Sequence, residues 1–148
     1  MAKYSYPAVF TPAEDGGYIV TFLDFEGATQ GEDVTDAIVM ATDYLNFVLC
    51  DLEDDNEAIP QSTDIKTVEA PKNGFVNMIV ADTDAYREIL LKENNPIKYA
   101  REKAKLNIKQ LADLLGAPYR TVQDWNRGKA FPPKWVEKLV IEKIESVM

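Results

Sequence analysis

The stretch Asn107-Ile108-Lys109-Gln110-Leu111-Ala112-Asp113-Leu114-Leu115-Gly116-Ala117-Pro118-Tyr119-Arg120-Thr121-Val122-Gln123-Asp124-Trp125-Asn126-Arg127-Gly128-Lys129 leaves little freedom in how the end of this chain can fold. Leu111, Ala112 and Leu115 fall on one face of a short helix. Gly116 can end that helix, because a residue without a Cβ enters the left-handed conformation freely. Pro118 sets up the next helix, since a proline in a first turn loses no hydrogen bond. Val122 and Trp125, spaced i to i+3, turn inward to pack on the first helix, which leaves Tyr119, Arg120, Gln123 and Asp124 facing out. The stretch reads as a helix-turn-helix; the alternative is a surface helix in a small helical bundle.

Polar and aromatic residues on the exposed face of a second helix, with basic residues just after it, are what reading of the DNA major groove requires. The candidate DNA-facing set is Pro118, Tyr119, Arg120, Thr121, Gln123, Asp124, Arg127 and Lys129, with Arg127 and Lys129 placed to hold phosphates. Gln110-Leu111-Ala112, Leu115-Gly116 and Trp125-Asn126-Arg127-Gly128-Lys129 resemble the helix-turn-helix of the lambda-repressor-like family. Members of that family commonly carry Glu where Asn126 stands.

The net charge of -9 is unusual for a DNA binder, but it is unevenly spread. Residues 1–95 carry 5 Lys and Arg against 19 Asp and Glu, net -14, whereas residues 96–148 carry 11 against 6, net +5. Such asymmetry points to different partners for the two parts, DNA for the basic end and something basic for the acidic front. With no histidine in the chain, the histidine-based triads and general bases are excluded, and zinc would lack ligands. Cys50, the single cysteine, has no internal disulfide partner and is expected in the core. No apolar run reaches the roughly 18 residues of a membrane span, and the Met-Ala-Lys-Tyr start has no apolar signal core, so a cytosolic protein without cofactor is expected.

Along the front part, Tyr4 to Phe10 alternates as a strand, which Pro7 should confine to an edge or a bulge. Asp15-Gly16-Gly17 closes a hairpin to a second strand, Tyr18 to Phe22. Asp24 to Gly27 turns into a short third strand, Ala28 to Gly31. Asp33 is the predicted N-cap of a long helix whose inward stripe is Ala37, Ile38, Ala41, Tyr44, Leu45, Val48, Leu49 and Leu52, with Asp36, Asp43 and Asn46 pointing away. Glu53 to Glu57 reads as a solvated helix end and Ile65 to Val68 as a short strand. Phe75 to Val80, nearly all apolar, should be a strand inside the sheet. A helix from Asp82 or Thr83 to about Lys92, with Ala85, Ile89 and Leu90 inward, stops at Asn94-Asn95-Pro96, where the domain boundary is placed. Ile97 to Lys105 then opens the tail domain with Tyr99, Ala100 and Ala104 in its core. After the second helix of the motif Phe131-Pro132-Pro133 redirects the chain, and Trp135, Leu139 and Ile144 define a closing helix.

Tyr6-Pro7-Ala8-Val9-Phe10-Thr11-Pro12-Ala13-Glu14-Asp15-Gly16-Gly17-Tyr18-Ile19-Val20-Thr21-Phe22, then Thr29-Gln30-Gly31-Glu32 and Ala37 onward, resemble the HicB family of antitoxins. The chain departs from that pattern at Leu23-Asp24-Phe25-Glu26-Gly27-Ala28, where prolines and a cysteine are usual. The resemblance implies an α+β protein: residues 1–95 as a partial RNase H-like domain, an antiparallel sheet packed by a long helix, and residues 96–148 as an all-α helix-turn-helix domain. It also implies a small basic HicA-like toxin that cleaves mRNA as partner, repression of its own operator DNA, and a homodimer or higher oligomer. The alternative function is a stand-alone regulator whose front domain senses a ligand or dimerises. A third reading, a metal-dependent nuclease using Asp24, Asp43 and Asp51, meets the difficulty that the Tyr4 to Phe10 strand has no acid, where a ribonuclease H site needs one.

Overall fold

Tyr4, Tyr6, Ala8 and Phe10 share one side of a strand because side chains alternate across a pleat. In the computed structural model, which describes residues 3–148, this strand is β1 (Lys3–Pro12). β2 (Tyr18–Phe22) returns antiparallel through a turn in which Gly16 takes φ +97° and the Ala13 N–H donates to the Gly17 carbonyl at 2.9 Å. β3 (Ala28–Gly31) lies beside β2, and β4 (Phe75–Asp82) pairs with the other side of β1. The sheet order is β3-β2-β1-β4, antiparallel throughout.

Two strands therefore exchange their expected places: β1 is central and β4 is an edge. Pro7 is tolerated inside because the β1–β2 register begins at Ala8 opposite Phe22, so at Pro7 the strand is paired only with Met78 of β4. With no β2 residue paired opposite it, its missing N–H interrupts no β1–β2 ladder bond. The apolar run of β4 is a half-buried strand, with Ile79 and Ala81 buried while Val80 is 62% exposed.

Residues 34–54 form α1 (Val34–Asp54), two residues beyond the expected end at Leu52. Its start is held as the acids predict: Asp33 accepts from the Asp36 N–H at 2.7 Å, and Asp36 accepts from the Glu32 N–H at 2.8 Å. Ala37, Ala41, Leu45 and Leu49 are fully buried in one cluster with Tyr6, Ala8, Phe10 and Val20 of the sheet. Asn46 does not point away; it is buried and folds back on its own helix, its amide donating to the Thr42 carbonyl at 3.1 Å. Cys50 is buried.

Ile65 to Val68 is no strand but a single 3-10 turn, Ile65–Thr67. Local bonds satisfy its backbone, the Asp64 carboxylate accepting from the Lys66 N–H and the Thr67 hydroxyl donating to the Asp64 carbonyl. α2 (Thr83–Asn94) starts at Asp82, whose carboxylate accepts from the Ala85 N–H at 3.1 Å. Ala85, Ile89 and Leu90, expected inward, are exposed. The buried position of α2 is instead the polar Thr83, which donates to Glu53, and the partly exposed Glu88 pairs with Lys103.

The chain divides into two compact units, Met1–Tyr86 and Arg87–Met148, ahead of the 95/96 junction read from the sequence. The intervening segment holds Arg87, Glu88, Lys92 and Glu93, so the charge contrast of -14 against +5 holds for either boundary. In the second unit α3 (Pro96–Lys103) is capped by Asn95, and α4 (Ile108–Leu115) opens on a reciprocal pair of bonds between Asn107 and Gln110. α5 (Tyr119–Arg127) follows after Gly116 at φ +67° and Pro118, and α6 (Lys134–Glu145) closes the chain. Ile97, Ala100, Leu111, Ala112, Val122, Val140 and Ile144 form the core. On α6 the expected anchors Trp135 and Leu139 are 67% and 55% exposed. Two apolar stripes run one residue apart along this helix, and the inward one is Val136, Val140 and Ile144.

Candidate functional site

The short helix α5 carries most of the predicted DNA-facing residues. Val122, 1% exposed, and the half-buried Trp125 fix its inner side. Pro118, Tyr119, Arg120, Arg127 and Lys129 are exposed, while Thr121, Gln123 and Asp124 are partly covered. Asp124 and Arg127 are joined by an ion pair at 3.2 Å, so this acid orients a neighbouring guanidinium. The C-terminal end is closed by Gly128 at φ +74°, whose N–H bonds back to the helix, and Lys129 follows directly.

Two residues that hold α5 in place escape the sequence reading. The Asn95 side chain accepts from the Lys98 N–H to cap α3 and donates to the Trp125 carbonyl at 3.0 Å. Arg101, whose side chain is 13% exposed, donates to the Leu106 carbonyl at 2.7 Å and to Asn126 Oδ1 at 2.9 Å. A carboxylate at position 126 would meet the same guanidinium as an ion pair; here a neutral amide does the positioning. The available signal was Asn126 itself, where the sequence departs from the pattern it resembles.

In the first unit Asp24 accepts from both the N–H and the hydroxyl of Thr63, at 3.1 and 2.6 Å, and so fastens the segment before the 3-10 turn. Asp43 and Asp51 stand exposed on α1. Among the described residues no three or more such side chains converge as metal ligands would. Nor is any helix there long and apolar enough to cross a membrane.

Glu53, read as part of a solvated run, instead accepts from the Tyr4 hydroxyl at 2.7 Å and the Thr83 hydroxyl at 3.0 Å, tying β1, α1 and the start of α2 together. The bond to Glu53, then burial, push the Tyr4 phenol from 10.0 up to about 12. A raised folded-state value stabilises the fold below the unfolded value near 10, and that contribution is lost as pH climbs through 12. Tyr4→Phe is expected to lower stability by about 1 kcal/mol at pH 7, the scale of an ordinary hydrogen bond, because solvent screens this partly exposed pair. The difference from the parent in urea midpoint should shrink between pH 10 and 12; a difference constant across that range contradicts this bond.

No protein-family model matches the chain. Antitoxin HicB of Escherichia coli is 36% identical over 87 residues, 58% of this chain and 58% of the relative. Antitoxin HicB 1 of Photorhabdus laumondii is 43% identical over 56 residues, 37% of this chain and 36% of that one. A solved structure, a toxin-antitoxin complex from Streptococcus pneumoniae, superposes with TM-score 0.53 at 26% identity, covering 57% of this chain and 72% of its own. These similarities support a HicB-family antitoxin. It spans a little over half the length of the Escherichia coli relative it matches.

The HicB-like positions of the front unit coincide with close backbone approaches. A Cβ on Gly31 would fall closer than 3.0 Å to the backbone of Ala37 on α1, and one on Gly17 would meet the Gly31 carbonyl equally closely. The turn that departs from the HicB pattern is held by side chains: the Tyr44 hydroxyl donates to the Glu26 carbonyl, and Gly27, at φ +93°, leaves room for the Tyr44 ring.

Proposed function

We propose that this HicB-family chain neutralises a small basic, RNA-cleaving toxin of the HicA type through its acidic front unit and represses its own operator through its basic tail unit. The observation that carries this reading is the charge division between two separately packed units, net -14 and +5. Opposite potentials steer encounter and exclude wrong partners, so one chain of this kind serves two partners of opposite charge. The toxin-antitoxin complex among similar structures supports the toxin partner. The front unit then acts by covering the toxin's RNA-binding surface, as a partial RNase H-like domain without catalysis of its own.

In the same reading α4, the turn at Gly116 to Pro118, and α5 are a helix-turn-helix. Arg120 reads guanine with two hydrogen bonds, Tyr119, Thr121 and Gln123 contact neighbouring bases or phosphates, Pro118 starts the helix at the groove, and Arg127 and Lys129 hold phosphates. Two copies bind half-sites about 34 Å apart or a multiple of that. Arg120→Ala is expected to cost about 1–3 kcal/mol and to relax specificity at one base pair, whereas Lys129→Ala weakens all sequences alike and reduces the salt slope by about 1. Titration of the operator and a scrambled duplex at several salt concentrations checks both, and unchanged operator affinity for Arg120→Ala contradicts the placement of the reading helix. Suppression of RNA cleavage by a small basic HicA-type toxin from the same source cells tests the other half.

A further inference from the structure

The outward face of α1 carries three large apolar side chains that remain exposed: Val39 is 59% exposed, Met40 39% and Phe47 56%. They follow one another at i, i+1 and i+8, within one side of the helix opposite the stripe buried on the sheet. Scattered single apolar residues on a surface need no explanation, but a strip along one helix face is the anatomy of a docking site. The charge around the strip is of one sign. Asp43 lies between the apolar residues and Asp51 one turn beyond Phe47, both exposed, and the twenty-one residues of α1 contain no Lys or Arg.

We infer that this face of α1, centred on Val39, Met40 and Phe47, is where the acidic unit docks its basic protein partner. This rests on the toxin-neutralising reading and adds to it the surface used. Apolar side chains with acids between and beside them fit a partner surface that pairs apolar groups with Lys and Arg. The apolar anchors supply affinity once water is excluded, while the acids set orientation and encounter rate. The buried side of α1 is committed to the sheet, so the same helix serves fold and recognition with opposite faces.

The test uses the full chain and, as probe, a small basic HicA-type toxin from the same source cells, produced with its RNA-cleaving activity abolished. Phe47→Lys and Val39→Lys change exposed positions and add the wrong charge, so binding measured by calorimetry should weaken at least 100-fold with an unchanged far-ultraviolet circular dichroism spectrum and melting temperature. Val80→Lys, on an equally exposed apolar position of β4, is the control and should bind as the parent does. Parent-like binding by Phe47→Lys and Val39→Lys, or loss in Val80→Lys alone, overturns the surface while leaving the neutralising role intact. Failure of the unsubstituted chain to bind the probe overturns both together. Melting of either lysine variant well below the parent assigns these positions to the fold and overturns the surface as well.

Discussion

Gly31→Ala is expected to destabilise the front unit by about 3 kcal/mol, the upper end of what overpacking costs. The reason is local. Gly31 ends β3 where the chain is about to enter α1, and the missing Cβ is what lets the first turn of that helix sit against the strand. An added methyl would press on the backbone of Ala37, which cannot swing aside as a side chain could. Ala37 and Ala41 continue the same close approach as fully buried small residues, so the helix cannot lift without opening the core over Phe10 and Val20. In a unit of this size the loss should appear as a fall in melting temperature of about 15 °C or more. Thermal melting of the variant followed by circular dichroism checks it, and a melting temperature within about 2 °C of the parent shows that the contact is looser than described.

The second large effect falls in the tail unit. Leu111 is fully buried, in one cluster with Val122 of α5 and Ile144 of α6, so Leu111→Ala removes the side chain on which three helices converge. Truncations of this kind cost about 2–5 kcal/mol, against a total stability of about 3–9 kcal/mol for a unit of this length. Urea unfolding should show the tail unit largely lost, and operator binding should go with it because Arg120 and Lys129 depend on α5 being formed. Leu139→Ala is the contrast. Its side chain is 55% exposed, and its removal should change stability by no more than about 0.5 kcal/mol. Equal losses from both substitutions would mean that the inward stripe of α6 has been misassigned.

The parts of the fold legible in the sequence are those fixed by neighbours in the chain. Gly16 and Gly116 at positive φ, the Asp33 cap, and the breaks at Asn94-Asn95-Pro96 and Pro118 are local chemistry, and all stand where the residues put them. What failed needed knowledge of remote partners. Pro7 was read as an edge signal because a missing N–H interrupts a ladder, yet β2 stops one residue short of it. Periodicity in α2 and α6 named an apolar stripe but could not say which of two stripes faces the core, so Ile89 and Trp135 were placed on the wrong side. Likewise the supporting pairs Asn95–Trp125, Arg101–Asn126 and Tyr4–Glu53 join residues far apart in sequence, and no spacing rule announces them.

The same division applies to the candidate sites. The short helix α5 is a local motif, and the residues predicted to face DNA are on or beside it, most of them exposed. The proposed docking face of the front unit leaves no motif: helical spacing puts Phe47 off the inward stripe of Leu45 and Leu49, but its exposure is visible only in the fold.

The most direct test of the account titrates this chain into an RNA-cleavage reaction driven by a small basic HicA-type toxin from its own source cells. The account predicts that cleavage stops at a fixed ratio of chain to toxin, that residues 1–86 alone suffice, and that adding salt slows the onset of inhibition. Undiminished cleavage at a large excess of the chain would contradict it.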